Sequence, residues 1–249
     1  MTATIDAPST ARPQLELPGQ VYAAGGPHDL SGMFVAHHGF RRDLYRFAMA
    51  TRNTPVDDAQ TWSALATRWA RFGEILHHHH VTEDTAIWPE LFGAVDQQGD
   101  RGAHSTLDEM EAEHDVVDPM LTACAAGFAT MATAPDRQTR DHLAEVVHAT
   151  HASVYGHLAH EEAEALPILQ RHLSGKGWKK AEHMAKAEKD PRKLAFLVPW
   201  LADGLPQPVL SKAFGSMGPA IKVVLSMTKT RYERAEWMAF RHIPSAQVA

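Results

Sequence analysis

The chain has 249 residues, of which 44% are hydrophobic and 22% are charged, and its formal net charge is −6. This composition is too apolar for a disordered protein, and the acidic balance argues against a nucleic-acid partner, which needs a basic surface. The single cysteine, Cys124, excludes an intrachain disulfide and an all-cysteine metal site, so we expect it to be a core residue. The 17 histidines are unusual, because imidazole is used sparingly except as a metal ligand.

Residues 1–27 are rich in Pro, Gly and Thr, and we expect a flexible N-terminal tail. They lack the basic start and apolar segment of a secretory signal. No apolar run in the chain reaches the roughly 18 residues that span a bilayer. The sequence therefore predicts a cytoplasmic protein with no transmembrane segment.

Residues 28–173 show apolar side chains at three- and four-residue spacing, which is typical of amphipathic helices, and no segment resembles a strand. Pro55 and Pro135 precede new helices, and Asp57 and Asp136 are available for the first turns. Four long helices with short connections predict an all-α, up-down four-helix bundle. The predicted helical segments are 28–51, 57–94, 103–131 and 136–173.

Residues 174–249 change in character, with short helical pieces interrupted by prolines and a basic C-terminal part. We predict a helical C-terminal extension of the bundle. Its apolar stretch around Trp200 could cover the bundle, form a homo-oligomer contact or lie on a membrane, and packing against the bundle is favoured. Trp62, Trp69 and Phe72 stand at helical spacing and are predicted to be core residues.

Two histidine–glutamate pairs carry the chemistry. His79 is followed by Glu83, and His157 by Glu161, and in each motif a proline stands ten residues after the histidine. The four-residue step puts imidazole and carboxylate on one helix face, where both can reach a metal ion.

The motifs belong to an internal duplication. A lone histidine, His37, stands 42 residues before His79, and His114 stands 43 residues before His157. The helical hairpin therefore repeats, and the repeat predicts a pseudo-two-fold arrangement around a shared centre.

Two metals suit this set better than one. A glutamate can bridge two cations about 3.5–4 Å apart while imidazoles cap each ion from outside, and bundle cores are where such sites are built. Carboxylate and imidazole ligands favour iron or manganese, with zinc also compatible.

The residues quoted above resemble the hemerythrin-like (HHE cation-binding) family over about residues 28–173. The resemblance also includes the stretch His37-His38-Gly-Phe-Arg-Arg-Asp-Leu, which favours His37 over His38. It implies two iron ions in an oxo- or hydroxo-bridged centre, with manganese or zinc less favoured. Its implied terminal ligands are His37, His79, His114 and His157, and its implied bridging ligands are Glu83 and Glu161.

Two departures from the oxygen-carrying hemerythrins stand out. Those proteins have a second histidine four residues along the third helix, where this chain has Asp118, and a five-residue step to aspartate where this chain reaches Glu161 in four. A further ligand could come from one of several side chains or from solvent. The side-chain candidates are Asp118, Glu111, Tyr155 and His160.

The remaining histidines and acids have plainer readings. Successive helical residues are rotated by about 100°, so His77, His78 and His80 cannot all point where His79 points, and surface positions or positions beside the ligands are favoured. His148 and His151 are expected in similar positions. Glu162 and Glu164 are expected on a solvated acidic face.

The missing histidine and an exchangeable metal position favour a protein that binds or reacts with hydrogen peroxide, oxygen or nitric oxide, in oxidative-stress defence, over a simple oxygen carrier. If the chain is an enzyme, the expectation is a di-iron oxidoreductase with catalase- or peroxidase-like activity. The alternative is a non-catalytic iron or oxygen sensor, or an iron-binding protein.

Overall fold

The computed structural model describes residues 11–185, 190–215 and 219–244. Within these ranges the chain is helical and has no β-strand, only an isolated bridge between Arg12 and Gly26, so the all-α prediction is confirmed. The α-helices are α1 (Ser31–Asn53), α2 (Ala59–Thr82), α3 (Trp88–Gln98), α4 (Arg101–Thr133), α5 (Arg137–His160), α6 (Leu166–His172), α7 (Gly175–Ala185), α8 (Pro191–Ala202), α9 (Gln207–Gly215) and α10 (Pro219–Phe240).

Aspartates cap three of the four long helices of the bundle, α2, α4 and α5. Asp136 accepts a hydrogen bond from the Thr139 backbone N–H at the start of α5, as predicted. At the start of α2 the cap is Asp58, which accepts from Thr61, while the predicted Asp57 lies just outside the helix. Each cap satisfies one of the free N–H groups of a first helical turn.

Each histidine–glutamate motif runs into a π-helical turn. The two turns, Glu83–Ile87 and Glu161–Ala165, join α2 to α3 and α5 to α6, so the four predicted segments correspond to α1, α2–α3, α4 and α5–α6. Pro89 and Pro167 lie in the first turn of the α-helix that resumes. A proline ring clashes with the carbonyl four residues earlier in a regular α-helix, and the wider turn relieves that clash.

The four segments pack as a bundle with two apolar clusters. Helix α1 lies along α5, α2 along α4, and α4 along α5. One cluster includes Phe34 and Leu107 near one end, and the other includes Phe47 and Phe128 near the other. A polar layer that contains the predicted metal ligands lies between the two clusters.

The C-terminal extension covers the side of the bundle formed by α1 and α2. Trp200 of α8 is fully buried and lies on Gly39 and Phe40 of α1. Its indole N–H donates to buried Asp43 over 2.7 Å, and Asp43 also accepts from Arg68 of α2. The favoured packing of the extension against the bundle is what the structure has, and the expected core positions Cys124, Trp62, Trp69 and Phe72 are buried.

The N-terminal segment also lies against the bundle. Residues 11–27, part of the predicted flexible tail, bury Leu15 and Leu17, and Gln170 of α6 donates to the Ala24 carbonyl. The boundaries proposed for the tail, bundle and extension stay predictions.

By length and composition alone, α4 is the one helix among the described residues that is long and apolar enough to cross a membrane. A single helix of this kind is weak evidence for a membrane span, because core helices of soluble proteins meet the same criteria. Here α4 packs along α2 and α5.

Candidate metal centre

The six predicted ligands meet in the polar layer between the apolar clusters. They come from α1, from the end of α2 and the turn after it, from α4, and from the end of α5 and the turn after it. All are buried except His79, whose side chain is 11% exposed. They are His37, His79, Glu83, His114, His157 and Glu161.

The side chains form two groups. His37, His79, Glu83 and Glu161 make one group, and their ligand atoms lie within 4.8 Å of one another. In the second group the ligand atoms also lie within 4.8 Å of one another, and two predicted ligands are joined by a histidine that was expected at the surface or beside the ligands. The members of this group are His114, His157 and His80.

Glu83 connects the two groups. Its Oε1 lies 3.1 Å from His79 Nε2 in the first group, and its Oε2 lies 3.5 Å from His114 Nε2 in the second. Glu161 Oε2 lies 3.0 Å from His37 Nε2. A carboxylate with one oxygen toward each group has the arrangement needed to bridge two metal ions.

The atoms of this layer that could bind a metal have no hydrogen-bond partner among the described residues. This holds for the Nε2 atoms of the histidines in both groups and for all four oxygens of Glu83 and Glu161. A buried polar atom left unpaired costs about 1–3 kcal/mol, and a charged one costs more. A cation would satisfy these atoms together, so the residues fit a bound metal pair.

Carboxylates hold the outer nitrogens of three histidines. His37 Nδ1 donates to Glu162 over 2.9 Å, and His114 Nδ1 donates to Asp84 over 2.8 Å. Asp84 follows Glu83 and Glu162 follows Glu161, so in each hairpin the acid after the glutamate orients the lone histidine of the other hairpin. His157 Nδ1 donates likewise to Glu113 over 2.8 Å. An Nδ1–H held in this way leaves Nε2 free as a metal ligand.

A sequence profile decides the family. The profile of the hemerythrin HHE cation-binding domain matches residues 28–169, more than half of the chain. The chain belongs to this family. No curated protein and no solved structure matches it significantly.

The expectation for Glu162 of this hemerythrin-like chain was wrong. Glu162 is fully buried, while Glu164 is exposed as expected. Arg41 donates to both oxygens of Glu162, over 2.7 and 3.0 Å, and the Val21 backbone N–H donates over 2.8 Å. The sequence signal was present in the paired acids Glu83-Asp84 and Glu161-Glu162, each placed where a helix turns past its ligand.

Burial and charge polarise the polar layer. Burial lowers the pKa of His37, but Glu161 and Glu162 outweigh it and raise that pKa to about 9. Burial and the neighbouring Glu161 raise the pKa of Glu83 well above its usual range. Burial lowers the pKa of His79. The carboxylates of Glu83 and Glu161 are close together and deeply buried, so each opposes the ionisation of the other. A cation between them would remove that repulsion.

The side chains considered as further ligands lie outside both groups. His160 Nδ1 donates to Glu113 over 2.9 Å, and Asp118 is half exposed. Tyr155 is 40% exposed and lies under the Arg41 guanidinium, and Glu111 is exposed. The four-residue step that brings a second ligand in the oxygen carriers therefore ends at the surface here.

Proposed function

We propose that this hemerythrin-like chain is a non-haem di-iron protein that binds or reacts with hydrogen peroxide, oxygen or nitric oxide. Its role would be defence against oxidative stress in the cytoplasm. As an enzyme it would be an oxidoreductase with catalase- or peroxidase-like activity.

The position of Glu83 carries this proposal. Its oxygens face His79 on one side and His114 on the other, inside a layer of buried donors without hydrogen-bond partners. A single-metal site needs no carboxylate between two groups of histidines. The mixed oxygen and nitrogen donors, without thiolate, support iron or manganese over a zinc–thiolate site.

The protein's own part in the chemistry is to hold and shield the site. Bound iron would supply a redox-active Lewis acid there. Glu162, Asp84 and Glu113 fix the imidazole orientations through Nδ1, and the pair of Arg41 with Glu162 keeps that carboxylate ionised. The apolar clusters above and below the layer limit the access of water.

Metal analysis combined with an optical spectrum tests this proposal. Protein purified from iron-supplied cells is expected to contain about two irons per chain and to absorb in the near ultraviolet as oxo-bridged iron does. The spectrum should change when peroxide, oxygen or nitric oxide is added to the reduced protein. One zinc per chain and no iron would refute the proposal, and a di-iron spectrum that none of the three changes would favour a structural metal pair.

A second candidate, an iron or oxygen sensor, is favoured by one chain of contacts. The His79 ring lies 5.2 Å from Phe40, and Phe40 lies 5.4 Å from Trp200 in the extension. A metal that moves His79 would therefore press on the residue that anchors the extension. Limited proteolysis within residues 174–249, with and without iron, tests this candidate, because identical cleavage patterns would exclude such coupling.

A further inference from the structure

We propose that His80 is a metal ligand. It would supply the imidazole that oxygen-carrying hemerythrins have on their third helix, where this chain has Asp118. This inference rests on the di-iron function proposed above. It assigns three histidines to one metal position, His80, His114 and His157, and leaves His37 and His79 with the two glutamates at the other.

The surroundings of His80 are those of a ligand rather than of a core histidine. The residue is 2% exposed, and neither ring nitrogen has a hydrogen-bond partner among the described residues. A structural histidine in a core normally bonds through at least one nitrogen, because an unpaired buried donor or acceptor is costly. The imidazole of His80 is instead stacked on His114, with ring centroids 4.0 Å apart and planes 11° apart.

Adjacent histidines can both reach metal because the site has two positions. Residues 79 and 80 differ in direction by about 100° around the helix axis. His79 faces α1, where its ring meets His37 at 5.2 Å, and His80 faces α4 and α5, where its ring lies 5.3 Å from His157. The rotation of about 100° that turns His80 away from the metal position of His79 turns it toward the second metal position.

Asp118 lies near His80, the residue that we assign as a ligand in place of a third-helix histidine. Its Oδ1 lies 4.0 Å from His80 Nδ1, beyond hydrogen-bond distance, and the carboxylate is half exposed. Asp118 thus makes no hydrogen bond to His80, unlike Glu113, whose carboxylate accepts from His157 Nδ1 over 2.8 Å.

The duplication makes His80 stand out further. In the second hairpin the residue after His157 is Leu158, which is buried among apolar side chains. His80 therefore differs from its counterpart in the second hairpin. It lies against His114, and the residue four positions after His114 is Asp118 instead of a second histidine.

The test compares His80→Gln with His78→Gln, a matched control on an exposed neighbour in the same histidine run. Wild-type protein and both variants are purified from iron-supplied cells, and iron per chain and its loss to an excess of ferrous chelator are measured. We expect His80→Gln to lose about half of the iron, or to release it at least about tenfold faster, with His78→Gln unchanged. The metal-free protein with His80→Leu controls for folding, because a ligand without hydrogen bonds can be replaced by an apolar group at no cost in stability.

The outcomes separate this inference from the proposed function. A wild-type protein without iron would overturn both. Two firmly held irons in wild type and in His80→Gln would overturn only the assignment of His80. Loss of iron from His80→Gln together with a metal-free His80→Leu protein that is clearly less stable than wild type would mark a structural role and also overturn it. Loss of iron together with an unweakened His80→Leu fold supports the assignment.

Discussion

The contact between Trp200 and Gly39 tests whether the extension docks on the bundle as the structure has it. A Cβ atom added to Gly39 would lie 2.7 Å from two carbons of the Trp200 ring. Gly39 lies inside α1, so its replacement by alanine has two opposing effects, a clash with Trp200 and a gain in helix propensity. The sign of the net effect depends on whether the indole is present.

The magnitudes follow from these contacts. Overpacking of a well-filled core costs about 1–3 kcal/mol, and alanine in place of glycine inside a helix gains about 1 kcal/mol. Gly39→Ala should therefore be neutral to destabilising by about 2 kcal/mol in the wild-type protein. Trp200→Ala alone should cost about 3–5 kcal/mol, since it empties a buried site and removes the hydrogen bond to Asp43. In the Trp200→Ala background, Gly39→Ala should stabilise the protein by about 1 kcal/mol.

Urea denaturation of the metal-free protein, followed by far-ultraviolet circular dichroism, measures all four free energies of unfolding. Gly73→Ala is the matched control, because Gly73 lies inside α2 with nothing within 4 Å of its added Cβ. The control should have the same effect in both backgrounds. An equal effect of Gly39→Ala with and without Trp200 would refute the docking of the extension on α1.

Three further changes test the site and its supports. Glu162→Gln should weaken iron binding by about 10- to 100-fold because it loosens His37, whereas the exposed Glu164→Gln should leave binding unchanged; equal iron affinities in a chelator competition would contradict this. Glu161→Ala should remove iron yet cost less stability than the core deletion Phe47→Ala, for which about 3–5 kcal/mol is expected, and the reverse order in urea melts would show that Glu161 is structural. Burial raises the pKa of Asp58, but hydrogen bonds from His242, Arg241 and Thr61 outweigh burial and lower it. The ionised Asp58 therefore stabilises the fold above the usual pKa of 3.8, and this stabilisation is lost as the pH falls. Asp58→Asn should therefore cost about 1 kcal/mol at pH 7 and less at pH 3, and a constant difference across this range would contradict the assignment.

The expectation for Glu162 was wrong, whereas the expectation for His80 is changed only by our proposal. Glu162 was expected on a solvated face because it lies in an acidic run, but burial depends on which helix packs over it, here α1 with Arg41. His80 was set aside because it cannot share the direction of His79. The difference in direction keeps His80 out of the group that contains His79, but the layer has a second group of possible ligands and His80 lies in it.

The sequence by itself determined the four helical segments, their breaks and the convergence of six candidate ligands, because three- and four-residue periodicity and the spacing of a duplicated motif are local properties of a helix. The tertiary structure decided what local spacing cannot carry. It brought Trp200 onto Gly39, Val21 onto Glu162 and His80 onto His114, contacts between residues from 34 to 161 positions apart in the chain. Such contacts depend on how the helix faces pack. Hydrophobic periodicity predicts which face of a helix is buried, but it does not predict which side chains of other helices contact that face.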